Sequence, residues 1–219
     1  MSTLHMMIGW VPSLLDGAKI TILLTLASVS SGLILALFLA LGKMSHHEII
    51  NKICDAYVFF FRGTPLLMQL YFVYYGLPQL SPALTINSRF LAAYIAFALN
   101  SAAYTAEVIR AAIQSIDNGQ TEAAHALGMT YRQTMSLIIV PQSIRRLIPP
   151  VGNEFIMVLK DASLVSIIAL ADITKVTRSI SSSTASALVY IPAMILYLII
   201  TAVFTFVFNR LEKKFAVYE

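Results

Sequence analysis

Three stretches of this chain, Ile20–Leu41, Gly63–Ser88 and Ala187–Phe208, contain no Asp, Glu, Lys or Arg. An α-helix rises about 1.5 Å per residue, so about 20 such residues cross a hydrocarbon core of roughly 30 Å. All three stretches reach that length. A helix at the surface of a soluble protein shows charge on its solvent face well before that. The composition agrees, with 12% charged and 58% hydrophobic residues and a mean hydropathy of +0.77, against roughly 25% charge in an average soluble domain. No alternating segment is long enough for a membrane barrel, which needs strands of about ten residues. The expected fold class is therefore all-α, a polytopic membrane protein embedded in the lipid bilayer.

Five spans are expected, at about 20–41, 57–77, 90–109, 147–170 and 187–208, within one domain over 1–219. The fourth is interrupted by Glu154, Lys160 and Asp161, and Pro149-Pro150 is placed in its first turn, where proline is tolerated. Segments 43–62, 110–146 and 210–219 carry Lys43, Lys52, Arg62, Arg110, Arg132, Arg145, Arg146, Arg210, Lys213 and Lys214. The opposite side carries Lys19, Arg89, Lys175 and Arg178. Basic residues favour the cytoplasm, which predicts an N-terminus outside and a C-terminus inside. The formal charge of +4 is thereby accounted for by span ends, and nucleic acid is not an expected partner. The N-terminus has no basic region ahead of a cleavage site, so the first span is expected to act as its own insertion signal. Cys54 is the only cysteine and cannot form an internal disulfide.

The polar segment at about 111–146 is the longest outside the expected spans. Asp117 reads as an N-cap with Gln120 three residues on, as in a capping box, opening a helix that carries Ala123, Ala124, Ala126 and Leu127. Gly128 reads as its stop. Thr130 and Gln133 repeat the capping signal for a second helix, expected to end before Pro141. Two short helices at an angle, one with an alanine face that a partner can approach closely, suit docking better than chemistry. An interfacial helix lying on lipid headgroups has the same periodicity.

Glu122-Ala123-Ala124, Gly128 four residues later, and Ile138-Ile139-Val140-Pro141 resemble the E-A-A-x3-G-x9-I-x-L-P loop of binding-protein-dependent ABC importer permeases. Val140 in place of Leu is the one departure. Phe61-Arg62-Gly63-Thr64-Pro65-Leu66, the run Asn100 to Glu107, and Leu159-Lys160-Asp161-Ala162-Ser163-Leu164 are similar to the polar amino acid subfamily (the His/Glu/Gln/Arg type). The resemblance implies a type I importer permease in the bacterial cytoplasmic membrane, not itself an enzyme. Implied partners are a dimer of ABC ATPase subunits, a second permease copy or related permease, an extracytoplasmic solute-binding protein and a polar amino acid. Glu122, Ala123, Ala124 and Gly128 would couple to the ATPase. No G-x4-G-K-[ST] phosphate loop is present, so ATP and Mg are expected on the partner, with no cofactor in this chain.

Polar groups in mid-membrane are expensive and usually face a cavity or a partner. Gln69, Asn100, Lys160 and Asp161 fall near the middle of their expected spans. Asn100, Tyr104 and Glu107 share one face of the third at i, i+4 and i+7, and Glu154, Val158 and Asp161 share one of the fourth. These faces are expected to line the path. The candidate substrate residues are Gln69, Asn100, Tyr104, Glu107, Lys160 and Asp161, with Asp161 receiving an α-ammonium and an amide or cation receiving the α-carboxylate. Bland roles stand beside these: Glu107 can pair with Arg110, Lys160 can snorkel, and Gln69 and Asn100 can hydrogen-bond neighbouring helices. Arg62-Gly63-Thr64-Pro65 reads as an anchor and a flexible entry turn. His46-His47-Glu48 reads as a solvated loop rather than metal ligands. An ion-coupled secondary carrier using Asp161 and Glu107 as proton relays is the main rival, and a membrane enzyme or anchor subunit the next. Neither needs the 122–141 pattern.

Overall fold

The computed structural model describes residues 3–215; the ends of the expected 1–219 domain lie outside these. Helix α1 spans Thr3–Lys43, beginning well before the expected 20–41. Apart from the exposed Asp16–Lys19 pair it is largely apolar, and many residues of its buried side are small: Gly17, Ala18, Thr21, Thr25, Ser28, Gly32, Ala36 and Ala40. Small residues let helix backbones approach, and a Cβ on Gly32 would stand 3.1 Å from the Ala98 carbonyl oxygen. The second span was expected as one helix over 57–77. Instead α2 (Glu48–Gly63) ends in extended residues Thr64 and Pro65, and α3 (Leu66–Tyr71) restarts beyond them. Proline disfavours helical backbone at the residue before it, so Thr64 is where the helix stops.

A wide π-turn, Phe72–Gly76, joins α3 to α4 (Leu77–Leu80). The same device recurs at Met135–Ile139. In each case a backbone N–H bonds five residues back, Leu77 to Phe72 and Val140 to Met135, and a proline (Pro78, Pro141) follows at once. Proline has no N–H and its ring crowds the carbonyl four residues earlier. Widening the turn relieves that clash without ending the helix.

Helix α5 (Arg89–Gln114) is capped by Ser88, whose Oγ accepts from Leu91 N at 3.2 Å. Helix α6 (Asn118–Ala126) follows, then α7 (Tyr131–Thr134), the second π-turn and α8 (Val140–Asp161). The second helix of the polar segment therefore does not end before Pro141 but runs on into α8. Pro149 and Pro150 lie inside α8 rather than in a first turn at 147. Beyond Asp161 the chain tightens into a 3₁₀ segment, Ala162–Ile168, closed by left-handed Ala169, so the helix is shorter than the expected 147–170. Helix α9 (Ile173–Thr184) was not expected; its signal was Asp172, whose carboxylate accepts from Thr174 N at 2.8 Å and Lys175 N at 2.9 Å. Helix α10 (Tyr190–Phe215) completes the described residues, among which there is no strand.

Helices α1 and α5 form the centre. The largest buried cluster joins Leu24 and Val29 of α1, Leu70, Phe97 of α5, Phe155 and Val158 of α8, and Val165. A second cluster packs Ala36, Leu39 and Ala40 against Cys54 and Val58 of α2 and Ala102 and Ala106 of α5. A third joins Leu14 and Ala18 to Ile173 of α9 and Ala193 of α10. Large side chains point outward: Leu23, Ile34 and Phe38 of α1 and Leu198, Val203 and Phe206 of α10 are exposed. An outer surface this apolar is what a bilayer covers. By length and composition alone, Thr3–Lys43 and Ala187–Phe215 are the described helices fit to cross one.

Candidate functional site

The break between α2 and α3 organises the polar centre. A helix that stops inside an apolar layer leaves its last carbonyls without donors. Here two amides supply them. Gln69 Nε2 lies 2.9 Å from the Phe61 carbonyl, 3.1 Å from the Thr64 carbonyl and 2.8 Å from Thr64 Oγ1. Asn100 Nδ2 also donates to the Phe61 carbonyl, at 3.1 Å, and to Gln69 Oε1 at 2.9 Å. Both side chains are buried. Gln69 thus fastens the break and lines an apolar recess beside it, away from the cavity that holds the other candidates.

That cavity, of about 510 Å³, lies between the α2–α3 break, α5 and α8. Its polar walls are Arg62, Thr64, Asn100, Tyr104, Glu154 and Asp161. Arg62 occupies the last turn of α2 and sets its guanidinium over the Tyr104 ring, 5.3 Å from the centroid. Glu154 is buried; Asp161 is the last residue of α8. Among the described residues no salt bridge involves Arg62, Glu154 or Asp161. Lys160, one residue before Asp161 and so turned about 100° from it, is exposed and lines no part of this cavity. Arg62 carries the feature that sequence reasoning passed over: a cation directly before a Gly-Thr-Pro break is held at the cavity wall.

Glu107 lies one step further along α5, in a different setting. Its carboxylate accepts from Arg110 Nη2 at 2.7 Å and Nε at 3.1 Å, and from Lys43 Nζ. Lys43 also pairs with Asp55 at 2.7 Å. This network ties the end of α1 to α2 and α5. It borders a second cavity, of about 560 Å³, which shares Arg62, Gly63 and Tyr104 with the first.

The coupling candidates sit on α6. Asp117 caps it by accepting from Gly119 N at 2.7 Å. Gln120 does not return the bond as a capping box requires; its Oε1 instead accepts from Gln142 at 3.4 Å. Thr130 and Gln133 do form the reciprocal box on α7. Gly128 has φ +76°, and Gly128 N donates to the His125 carbonyl at 2.9 Å while Met129 N donates to that of Ala124 at 3.0 Å. This is the left-handed closing motif that glycine permits. Glu122, Ala123 and Gly128 are exposed, as is Leu127 at 82%, whereas Ala124 is turned inward and buried. The Arg146 guanidinium fastens the segment to the end of α5 through the Ser115 carbonyl.

A helical membrane subunit with a charged central cavity and an exposed, rigidly closed helix at one end is the architecture of an importer's permease. The chain belongs to the family of binding-protein-dependent transport system inner membrane components, which its residues 32–217 match. It is similar to the arginine transport system permease protein ArtQ of Bacillus subtilis (strain 168), 39% identical over 205 residues that cover 93% of each chain. The L-cystine transport system permease protein TcyL of the same organism is 38% identical, over 95% of this chain and 90% of its own length. The glutamine transport system permease protein GlnP of Escherichia coli (strain K12) is 35% identical over 93% of each. A solved amino acid ABC transporter crystallised with histidines superposes with a TM-score of 0.91 at 39% identity, covering 98% of this chain and 99% of that one. The MetNI methionine ABC transporter shares the fold at a TM-score of 0.79 and 18% identity. The chain is thus a permease subunit of an ABC amino acid importer, a transport component and not an enzyme.

Proposed function

We propose that this permease passes a polar amino acid through the Arg62–Asp161 cavity, with Arg62 receiving the α-carboxylate and Asp161 the α-ammonium. Asn100 and Tyr104 shape the wall between them, and Glu154 stands ready for a second donor on the cargo. The observation that carries this is the uncommitted charge: Arg62, Glu154 and Asp161 share one cavity of about 510 Å³ and none is in a salt bridge among the described residues. Glu154 is buried and Arg62 and Asp161 are exposed toward the cavity, so a zwitterion entering it meets groups of both signs, and a charge in a membrane path is costly unless matched. The Lys43–Glu107–Arg110 network, already paired, does not need one.

In this reading the chain crosses the membrane five times as one domain, N-terminus outside, with α6 on the cytoplasmic side. The exposed face of α6, from Glu122 and Ala123 to Leu127 and Gly128, docks on an ATPase dimer that binds ATP and Mg. Nucleotide-driven closure of that dimer then shifts the helices between inward-open and outward-open packing. A second permease completes the channel and a solute-binding protein delivers cargo from outside. Similarity to permeases named for arginine, glutamine and cystine supports a polar amino acid as cargo.

The test is uptake and direct binding by the complex reconstituted with its ATPase and binding protein. A charge-assisted hydrogen bond contributes about 1.5–3 kcal/mol, so Asp161→Asn and Arg62→Gln should each weaken cargo binding roughly 10- to 150-fold. Assembly with the ATPase should persist in both. Unchanged binding and uptake in both variants would place the cargo elsewhere.

A further inference from the structure

The second cavity has no role in the reading above. It holds about 560 Å³, is lined by Lys43, Asp55, Phe59, Arg62, Tyr104 and Glu107, and adjoins the cargo cavity through Arg62, Gly63 and Tyr104. We propose that it is a second station for the same zwitterionic amino acid on its way to the cytoplasm. Arg62 holds the α-carboxylate in both cavities, and Asp55 takes the α-ammonium in the lower one. This rests on the upper cavity being the cargo site and on the Lys43 end being cytoplasmic.

Arg62 has both the position and the freedom for this role. It stands on the wall shared by the two cavities, at the end of α2 beside the break. Its guanidinium stacks over the Tyr104 ring, a contact that leaves the N–H edge available. A long side chain anchored there can follow a carboxylate from one cavity into the next.

Asp55 is set apart by the asymmetry of the network around Lys43. Glu107 is 16% exposed and holds both Arg110 and Lys43, whereas Asp55 is 52% exposed and holds Lys43 alone. When a cargo ammonium takes Asp55, Lys43 keeps Glu107, so the exchange strands no charge. Glu107 has no comparable freedom, because its two partners fill both its oxygens. Asp55 must give up Lys43 to receive cargo, whereas Asp161 is in no salt bridge among the described residues, which makes the lower station the weaker of the two and suits release. A consequence is that amino acid accumulating on the cytoplasmic side fills this station and slows further release.

The experiment is equilibrium binding of radiolabelled L-arginine, L-glutamine and L-cystine, one at a time, to the permease–ATPase complex in nanodiscs. Because both stations use Arg62, one molecule per permease chain is expected. Asp55→Asn should keep the tighter binding, which also reports that the variant is folded. Asp161→Asn should leave a weaker residual site; adding Asp55→Asn should remove that residual binding, and adding Asp55→Glu instead, which retains the carboxylate, should keep it. Loss of all binding in Asp161→Asn, or residual binding that Asp55→Asn does not remove, overturns the second station alone. Wild-type affinity in Asp161→Asn overturns the cargo site as well.

Discussion

Replacing Gln69 with Leu removes an amide that closes the α2–α3 break while keeping most of the side-chain volume. In the native chain that amide meets the Phe61 carbonyl, the Thr64 carbonyl and Thr64 Oγ1 as donor and Asn100 as acceptor. Not all of these are lost equally. The Phe61 carbonyl keeps Asn100 Nδ2 at 3.1 Å, and Thr64 Oγ1 keeps its own bond to the Phe60 carbonyl at 2.8 Å. The Thr64 carbonyl loses the side-chain donor it has. One stranded half-buried acceptor costs about 1–3 kcal/mol, and the other lost bonds add about 1 kcal/mol together after compensation. The expected destabilisation is therefore about 2–4 kcal/mol. For a chain of this size each kcal/mol moves the melting midpoint by roughly 2–4 °C, so a drop on the order of 5–15 °C is expected. The assay is thermal unfolding of the assembled complex in nanodiscs, alongside cargo affinity in the fraction that remains folded. Gln69→Leu should lower the midpoint and change affinity by less than about threefold, since Gln69 does not line the cargo cavity. A midpoint within about 1 °C of wild type with affinity lost tenfold or more would refute the clamp and return Gln69 to the cargo.

Asp172 offers a test of capping against burial. Its carboxylate is fully buried and accepts two backbone N–H bonds, yet burial outweighs them and raises its pKa above the ordinary aspartate value. With the folded pKa raised, folding favours the protonated form, so its contribution to stability is greatest below the unfolded pKa and declines as pH rises through the folded one. Asp172→Asn keeps a capping oxygen without the charge and should match or exceed wild-type melting at pH 7, with the gap closing toward pH 4. Asp172→Ala should cost about 0.5–2 kcal/mol, and equal melting of Asp172→Ala and Asp172→Asn at pH 7 would count against the cap. At Gly128 a Cβ meets nothing within 4 Å among the described residues, but φ +76° strains any other residue by about 1–2 kcal/mol. Gly128→Val should leave the permease folded and ATP hydrolysis running while uptake falls severalfold, measured as the ratio of amino acid moved to ATP consumed. Wild-type coupling in that variant would remove α6 from the docking surface.

Helix content and membrane character were legible because they depend on length and charge alone: a stretch such as Ile20–Leu41, without one ionisable group, has few other places to go. Capping was legible at Asp117 and at Thr130 with Gln133, where the partner is local. Gln120 shows the limit, since its oxygen went to Gln142, 22 residues on. The polar centre was visible only as a set of residue types. Asn100, Tyr104, Glu154 and Asp161 share one cavity because α5 and α8 turn the expected faces toward each other. The sequence offered no means of separating Gln69 and Lys160 from that group, because a helix break and a 100° turn decide it.

What the sequence determined by itself is therefore an all-helical membrane chain with a rigid polar element at one end, together with the spacing that places it among importer permeases. Those properties follow from local interactions and from the cost of charge in hydrocarbon. Tertiary structure decided which polar groups were already satisfied. Glu107 is bound by Lys43 and Arg110, Gln69 is spent on a broken helix, and Arg62, read from sequence as an anchor, stands over Tyr104 between two cavities. The reason is that satisfaction of a buried charge or amide depends on partners as distant along the chain as Lys43 is from Glu107, and only packing of α1, α2, α5 and α8 brings those partners into reach or withholds them.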